Sequence, residues 1–461
     1  MSSSDDTRLD AGVIGAAWSD IGWTWRGVFA GLRTLWTLKC RPFQLMRRLY
    51  ALPPGTHAAS LFGRTYIVVT DPALVRRVLH TNADNYRKNY GAFLDAVGRS
   101  SLITHGAAWQ RVRSVNQTAF RADHIAAVIH ANHAIISDFA DRLSLQQDVP
   151  VDLSGALGGL MIDLVANGMF ARRTRQTPEE VFADIDCILP AMDRAALRFT
   201  SFGRMLSRAT RRGFAKALHR WRRLPEELRT DPPRRPDTNT LLSHLCAHFA
   251  GTEDGERLIH DEMLLFLGAG SQTSVATLGF ALLLLSQNPE ILAAVRSELA
   301  AHSVTATPSL EIAERLDLLH AVVAETLRLY PPVWAVSRVA IGPDTLGNIR
   351  VGTNDLIIIS YFGLHRSAQY WSNPERFDPQ RFQGGNAVPR NYVYMPFGAG
   401  PRSCIAAQLA TKQTVIILAT ILCRFDLTFR DDTRLVDAEL RPGISLWPKR
   451  PIMARLKSRT L

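Results

Sequence analysis

Apolar residues recur at helical spacing along most of the chain, while strand-like stretches are few and short. Between Trp25 and Trp36 the apolar positions are Trp25, Val28, Phe29, Leu32 and Trp36, with Arg26 and Arg33 off that stripe, which predicts an amphipathic helix. Leu61–Asp71 is rich in β-branched and aromatic residues and predicts a strand. Asp71-Pro72 then supplies an N-cap and a proline at the first helical position for a helix over Ala73–Leu79. Tyr86–Ile103 is aromatic and glycine-containing, a loop with buried anchors, and residues 120–250 are helical in pattern, with a loop at Pro232, Pro233 and Pro236. A long apolar helix follows over roughly 258–286, then Asn288-Pro289 as the cap of the next helix. Leu316–Tyr330 is a helix ended by Pro331-Pro332, and the Ala-rich run Ile405–Leu422 predicts a buried one. Strands at Ile349–Ser360 and Gly443–Arg455 leave the chain mainly α with a small β content.

Hydrophobic residues make up 46% of the 461, enough for a substantial core, which excludes a disordered chain. The five cysteines (Cys40, Cys187, Cys246, Cys404, Cys423) are scattered and odd in number, without C-x-x-C. That argues against a disulfide framework and for a reducing, cytoplasmic setting. The net charge of +12 is concentrated between Arg204 and Arg235, where eleven Lys/Arg face Glu226, Glu227 and Asp231. Only Phe214 and Trp221 there offer bases a stacking surface, so a solvated face is expected and no nucleic-acid partner. The start is acidic and lacks a signal peptide, and the apolar stretch Ala11–Trp18 is far shorter than the ~20 residues of a bilayer span. No transmembrane anchor is expected, with weak peripheral membrane contact through Trp25–Trp36 as the alternative to packing on the core.

Candidate chemistry centres on Met395-Pro-Phe-Gly-Ala-Gly-Pro-Arg-Ser-Cys404. Gly398 and Gly400 allow a tight turn, Arg402 sets a cation near the sulfur, and the apolar run after Cys404 places the thiol at a helix N-terminus, where a thiolate is favoured. A thiolate there can ligate a metal or act as a nucleophile. Trp109 and Arg113 share a helix face at i, i+4. In the long helix, Phe266-Leu-Gly-Ala-Gly-Ser-Gln-Thr273 interrupts helix propensity, and Thr273 can bond its i−4 carbonyl and open a groove. Close packing across the two glycines is the plainer reading of that run. Glu325 and Arg328 form a local i, i+3 pair.

Together these motifs resemble the cytochrome P-450 family. Phe397-x-x-Gly400-x-Arg402-x-Cys404 is similar to its haem loop, with Ala406 where the family has glycine; Ala269, Gly270 and Thr273 fit its oxygen groove, with Gln272 in place of the usual acid. Trp109-x-x-x-Arg113, Glu325-x-x-Arg328 and Asn373-Pro-Glu-Arg376-Phe follow in the family's order, and the likeness spans about residues 50–458. The resemblance implies a large helical domain with a small β-rich subdomain, and haem between the long central helix and the Cys-loop helix. Residues 1–50 would be a polar and amphipathic lead-in and 51–461 a single haem domain. It implies haem b (iron protoporphyrin IX) with Cys404 as axial ligand, held further by Trp109, Arg113, Arg338, Phe397, Gly398, Arg402, Ala269 and Gly270. Thr273, Gln272 and Ser271 would manage protons; Gln272 cannot ionise, so delivery would run through Thr273, Ser271 or water. Glu325, Arg328 and Arg376 would form a buried brace. Pocket candidates are Phe93, Phe266, Ala269, Val333, Trp334, Ala335, Ile444 and Ser445. The implied activity is insertion of one oxygen atom from O2 into an apolar small molecule, in secondary metabolism. Electrons would come from NAD(P)H through a ferredoxin or flavodoxin and its reductase. A peroxide-driven peroxygenase and a non-catalytic haem sensor are the alternatives.

Overall fold

Prolines start several of the helices, as expected where the missing N–H costs nothing. The computed structural model describes residues 41–61, 64–196, 208–234, 239–384, 392–430, 435, 440–443 and 445–459. The predicted helix over Trp25–Trp36 and the turn residue Ile444 lie outside the described residues. Helix α1 (Pro42–Ala51) opens on Pro42, inside the stretch read as a lead-in. The single strand expected over Leu61–Asp71 is instead the second half of a hairpin, β1 (Thr56–Leu61) paired antiparallel with β2 (Arg64–Val69). Asp71 caps α2 (Pro72–Arg76) as expected, its carboxylate accepting from Ala73 N at 2.7 Å. The helix does not stay α to Leu79: Arg77–Thr81 winds as a single π turn. Strand β3 (Tyr86–Lys88) and helix α3 (Leu94–Val97) then divide the expected loop.

Seven further elements follow: α4 (Gly106–Thr118), α5 (Ala122–Ser144), β4 (Pro150–Asp152), α6 (Leu153–Phe170), α7 (Pro178–Ala196), α8 (Arg208–Thr230) and α9 (Leu241–Phe249). The long helix α10 runs Gly255–Gln287. Asn288 precedes α11 (Pro289–Ala301), but its amide makes no N-cap bond; Nδ2 donates back to Leu284 O and closes α10 instead. After α12 (Leu310–Ala313) and α13 (Asp317–Leu329) come β5 (Ala335–Ala340), β6 (Asp344–Leu346), β7 (Ile349–Val351), β8 (Leu356–Ser360) and α14 (Tyr361–Leu364). A 3-10 turn (Pro379–Phe382), α15 (Ala407–Arg424), β9 (Phe425–Phe429), β10 (Leu440–Pro442), β11 (Leu446–Pro448) and β12 (Met453–Ser458) complete the chain.

These elements group into two units. The smaller comprises residues 1–89, 334–376 and 389–403. Its five-stranded sheet has the order β1-β2-β8-β5-β3, with β2 and β8 parallel and the other pairs antiparallel. Tyr50 pins α1 to this sheet: its hydroxyl donates to Val69 O and accepts from Ser360 N, both at 2.9 Å. The π turn is tied down by Asp344, which accepts from Arg77, Asn82 and Tyr86.

The larger unit comprises residues 90–333, 377–388 and 404–461. Helix α10 is its axis, packed against α3, α6, α8, α9, α13 and α15. Burial on all sides removes any amphipathic signal and explains why α10 reads as a near-continuous apolar run. Among the described residues, α6 and α10 are long and apolar enough to cross a membrane, yet 78% and 72% of those windows are buried inside the fold. Four cations of the basic segment are engaged: Arg220 pairs with Asp184, Arg222 with Asp95, Arg229 with Glu256 and Arg234 with Asp163. A small sheet β4-β12-β9 and the hairpin β10–β11 supply the unit's strands.

Candidate active site

Cys404 belongs to the larger unit and its side chain is exposed. Helix α15 begins at Ala407 with Ala406 as N-cap, two residues later than the apolar run from Ile405 suggests, so Cys404 stands before the helix rather than in its first turn. Cys423, farther along the same helix, shows the opposite chemistry: it is buried, and burial pushes its thiol up to about 11. An accessible sulfur just ahead of a helix N-terminus is placed where a thiolate is favoured. Within the same unit, α4 carries Trp109 and the half-buried Arg113. Burial lowers the Arg113 pKa, and the nearby Cys404 sulfur opposes that by favouring the guanidinium charge.

The loop that leads to Cys404 belongs to the smaller unit up to Ser403. Met395 N donates to the buried His365 Nε2 at 2.9 Å, and Gly398 N to Met395 O at 2.9 Å. Gly398 and Gly400 have φ of 74° and 71°, in the left-handed region. At Gly400 a Cβ would lie 1.9 Å from the Leu79 carbonyl oxygen, in the π turn. Glycine is required there by space as well as by φ. Phe397 and Arg402 are half-buried in this loop. Arg338 is buried on β5, its Nη1 donating to Ser337 O at 3.0 Å.

In α10 every residue from Asp261 to Leu285 is buried except Phe266, Gly268, Ala269, Gly270 and Thr273. Gly268 lies under the Trp221 ring of α8, and a Cβ on Gly270 would come within 3.0 Å of Val165 on α6. Close packing and a groove are thus both present. Phe266, Ala269, Gly270 and Thr273 stand at i, i+3, i+4 and i+7 and form one accessible stripe along this buried stretch, with Gly268 off it beneath Trp221. Thr273 Oγ1 donates to Ala269 O at 2.8 Å, the back-bond expected from the sequence. Phe266 stacks on Phe120 with centroids 5.6 Å apart.

The other two proton-handling candidates do not share that stripe. Ser271 is fully buried and donates to Leu267 O at 2.8 Å, on the far side of the helix. Gln272 is buried, and its Oε1 accepts from Ser445 Oγ at 3.2 Å. Ser445, read as pocket-lining, is itself buried and accepts from Trp447 Nε1 at 2.8 Å. Of the remaining pocket candidates, Phe93 is half-buried edge-on to Tyr90. Val333 and Ala335 are half-buried, and the Trp334 ring packs edge-on to Phe43 in the smaller unit.

The brace differs from expectation at its third member. Glu325 and Arg328 are fully buried and doubly hydrogen-bonded, at 2.6 and 2.8 Å. The second cation at Glu325 is Arg381, at 3.4 Å, in the 3-10 turn whose Asp378 N also donates to Glu325 Oε1 at 2.9 Å. Arg376, expected there, is exposed. The chain has two Arg-Phe pairs five residues apart, and that repeat was the one signal for Arg381.

A second set of polar contacts went unread. Glu262, fully buried, accepts from Ser101 N, Ser101 Oγ and Asn116 Nδ2, while Asp261 accepts from Arg99 N at 2.8 Å. Burial raises the Glu262 pKa and these donors pull it back. Two adjacent acids inside an apolar helix pattern were the available signal.

The residues fit a haem: an accessible thiol before α15, a cation at its side, and an accessible stripe on α10, which packs against α15. Comparison with known proteins agrees. The family profile "Cytochrome P450" matches residues 35–455. "Cyclooctat-9-en-7-ol 5-monooxygenase" of Streptomyces melanosporofaciens is 30% identical over 400 residues, covering 84% of this chain and 85% of that protein. "Pentalenene oxygenase" of Streptomyces avermitilis is 28% identical over 441 residues, covering 92% and 95%. "Cytochrome P450 3A30" of Fundulus heteroclitus is 26% identical over 423 residues, covering 86% and 84%. A match of this extent, over a chain whose ordered motifs and thiol-bearing loop agree with it, shows that the protein belongs to the cytochrome P450 family of haem-dependent monooxygenases.

Proposed function

We propose that the protein hydroxylates or epoxidises an apolar small molecule in secondary metabolism: RH + O2 + 2e− + 2H+ → ROH + H2O for the hydroxylation. The single observation that carries this reading is the accessible stripe of α10, apolar except for the Thr273 hydroxyl. The names of the two Streptomyces relatives carry cyclic skeletons, cyclooctat-9-en-7-ol and pentalenene, which supports a substrate of that kind.

Cys404 would hold haem b through its thiolate, and the haem would supply dioxygen activation when bound. By the family resemblance Arg113, Arg338 and Arg402, with Trp109, are the groups that would hold its propionates, Phe397 the one that would shield the sulfur, and Gly398 a turn residue of the loop. Phe266 and Ala269 offer an apolar wall that excludes water from the reacting carbon. Thr273 keeps a proton at Oγ1, bonded to Ala269 O, and is the one hydroxyl of the three candidates on the stripe. Electrons come from NAD(P)H through a ferredoxin or flavodoxin and its reductase; a chain of net charge +12 suits an acidic donor. Cys187, Cys246, Cys404 and Cys423 form no disulfide among the described residues, which suits a reducing, cytoplasmic setting.

The deciding measurement is the Soret band of the reduced, CO-bound holoprotein. Thiolate ligation gives a strongly red-shifted band that Cys404→His abolishes. A wild-type band at the position of histidine-ligated haem would overturn the reading. The amide at Gln272 favours comparing turnover on peroxide with turnover on a ferredoxin system: peroxide-only turnover identifies a peroxygenase.

A further inference from the structure

We propose that Gln272 is a specificity-determining positioning residue: its amide fastens the β10–β11 hairpin, through Ser445, to α10 beside Thr273, and so sets the bulk of molecule the site admits. The inference rests on the haem-thiolate reading above.

The direction of the hydrogen bonds is fixed by chemistry. An indole N–H only donates, so Ser445 Oγ must accept from Trp447 Nε1 at 2.8 Å. Its own proton is then left for Gln272 Oε1, at 3.2 Å. All three side chains are buried. The hairpin is held on two other sides, by Leu446 N donating to Pro332 O at 2.7 Å and by the Trp447 ring tilted on Phe182 at 6.2 Å. Gln272 therefore joins the helix that carries the reactive stripe to a hairpin anchored next to Val333.

Its position on the helix excludes the more obvious role. One residue before Thr273 is about 100° around α10, so the amide looks away from the stripe. An amide also cannot ionise. The amide is not there for stability: its Nε2 is buried without a partner among the described residues. An apolar side chain of similar shape would remove that unpartnered Nε2 while leaving the buried Ser445 proton without its acceptor, so the two costs oppose each other. What the amide supplies is a fixed distance between α10 and the turn.

The test uses the haem-loaded protein and two iron-binding probes, imidazole and a triphenylmethyl-substituted imidazole, each titrated by its Soret shift. Gln272→Leu and Ser445→Ala are expected to change the bulky probe's Kd by about fivefold or more relative to imidazole, the scale of one lost hydrogen bond. Gln272→Glu keeps an acceptor for Ser445 and should restore the wild-type ratio. A purely structural role would lower the melting temperature and leave the ratio alone. An unchanged ratio in Ser445→Ala overturns the proposal, even if Gln272→Leu fails to fold; so does Gln272→Glu behaving like Gln272→Leu. The reduced CO band is recorded on every sample. A red-shifted band with an unchanged ratio sinks only the role of Gln272, whereas its absence in the wild type sinks the reading beneath it.

Discussion

The Arg381 guanidinium lies 3.4 Å from the Glu325 carboxylate, which is fully buried and already paired with Arg328. Removing one partner of a buried pair strands the other's charge. Arg328→Ala is therefore expected to cost about 3–5 kcal/mol. Arg381→Ala should cost less, about 1–3 kcal/mol, since Arg328 remains at the carboxylate. Arg376 is exposed, so Arg376→Ala should cost less than Arg381→Ala. Denaturant unfolding of the three variants checks the order; a larger loss at Arg376 than at Arg381 would reverse the assignment.

Gly400→Ala is expected to disturb the thiolate itself. Its Cβ would meet the Leu79 carbonyl at 1.9 Å while φ is 71°. The loop must move, and the CO-bound Soret band should shift partly to the position of a non-thiolate haem. Gly55→Ala, with nothing within 4 Å of the new Cβ, is the control expected to change neither band nor stability.

Thr273→Ala removes the only hydroxyl on the stripe while leaving the Ala269 carbonyl in place. Electron consumption should continue while product per electron falls about tenfold or more, within the range of lost proton-transfer catalysis. The check is the ratio of product to NAD(P)H oxidised, with a substrate found by spin-state titration. An unchanged ratio would move proton delivery elsewhere.

Two histidines give opposite pH responses. His260 has a raised pKa, through its bond to Asp261 and despite burial, and its other nitrogen faces Arg222 O at 2.7 Å. Its contribution is full below the ordinary 6.5 and lost as pH rises through the raised value. His244 is lowered, by burial and then by the stacked His124, so its contribution holds above 6.5 and is lost as pH falls through the lowered value. The stability gap between wild type and His260→Gln should thus shrink on going from about pH 5.5 to 8.5, and that for His244→Gln should grow.

Local chemistry was legible and distant pairing was not. The Asp71 cap, the Thr273 back-bond and the Glu325–Arg328 pair involve residues within four positions of each other, so spacing alone reveals them. Arg381 was missed because both Arg376-Phe377 and Arg381-Phe382 fit the same short pattern. Which of the two meets Glu325 depends on how the chain turns between them. The strand over 61–71 was misread because β1 and β2 adjoin with no strong turn residue except Gly63 between them. Ser445 looked like a wall residue from its place in a turn; only the neighbouring Gln272 and Trp447 reveal a hydrogen-bonded role.

The stripe on α10 consists of four residues, two of them alanine and glycine. The helix thus offers very little matter with which natural variation could reshape it without losing the hydroxyl. New substrates would be acquired through framing parts off this helix, such as, on the proposal above, the hairpin bearing Ser445. Lineages descending from this protein should accordingly keep residues 266–273 nearly still while those frames drift, and sequencing such lineages would show it.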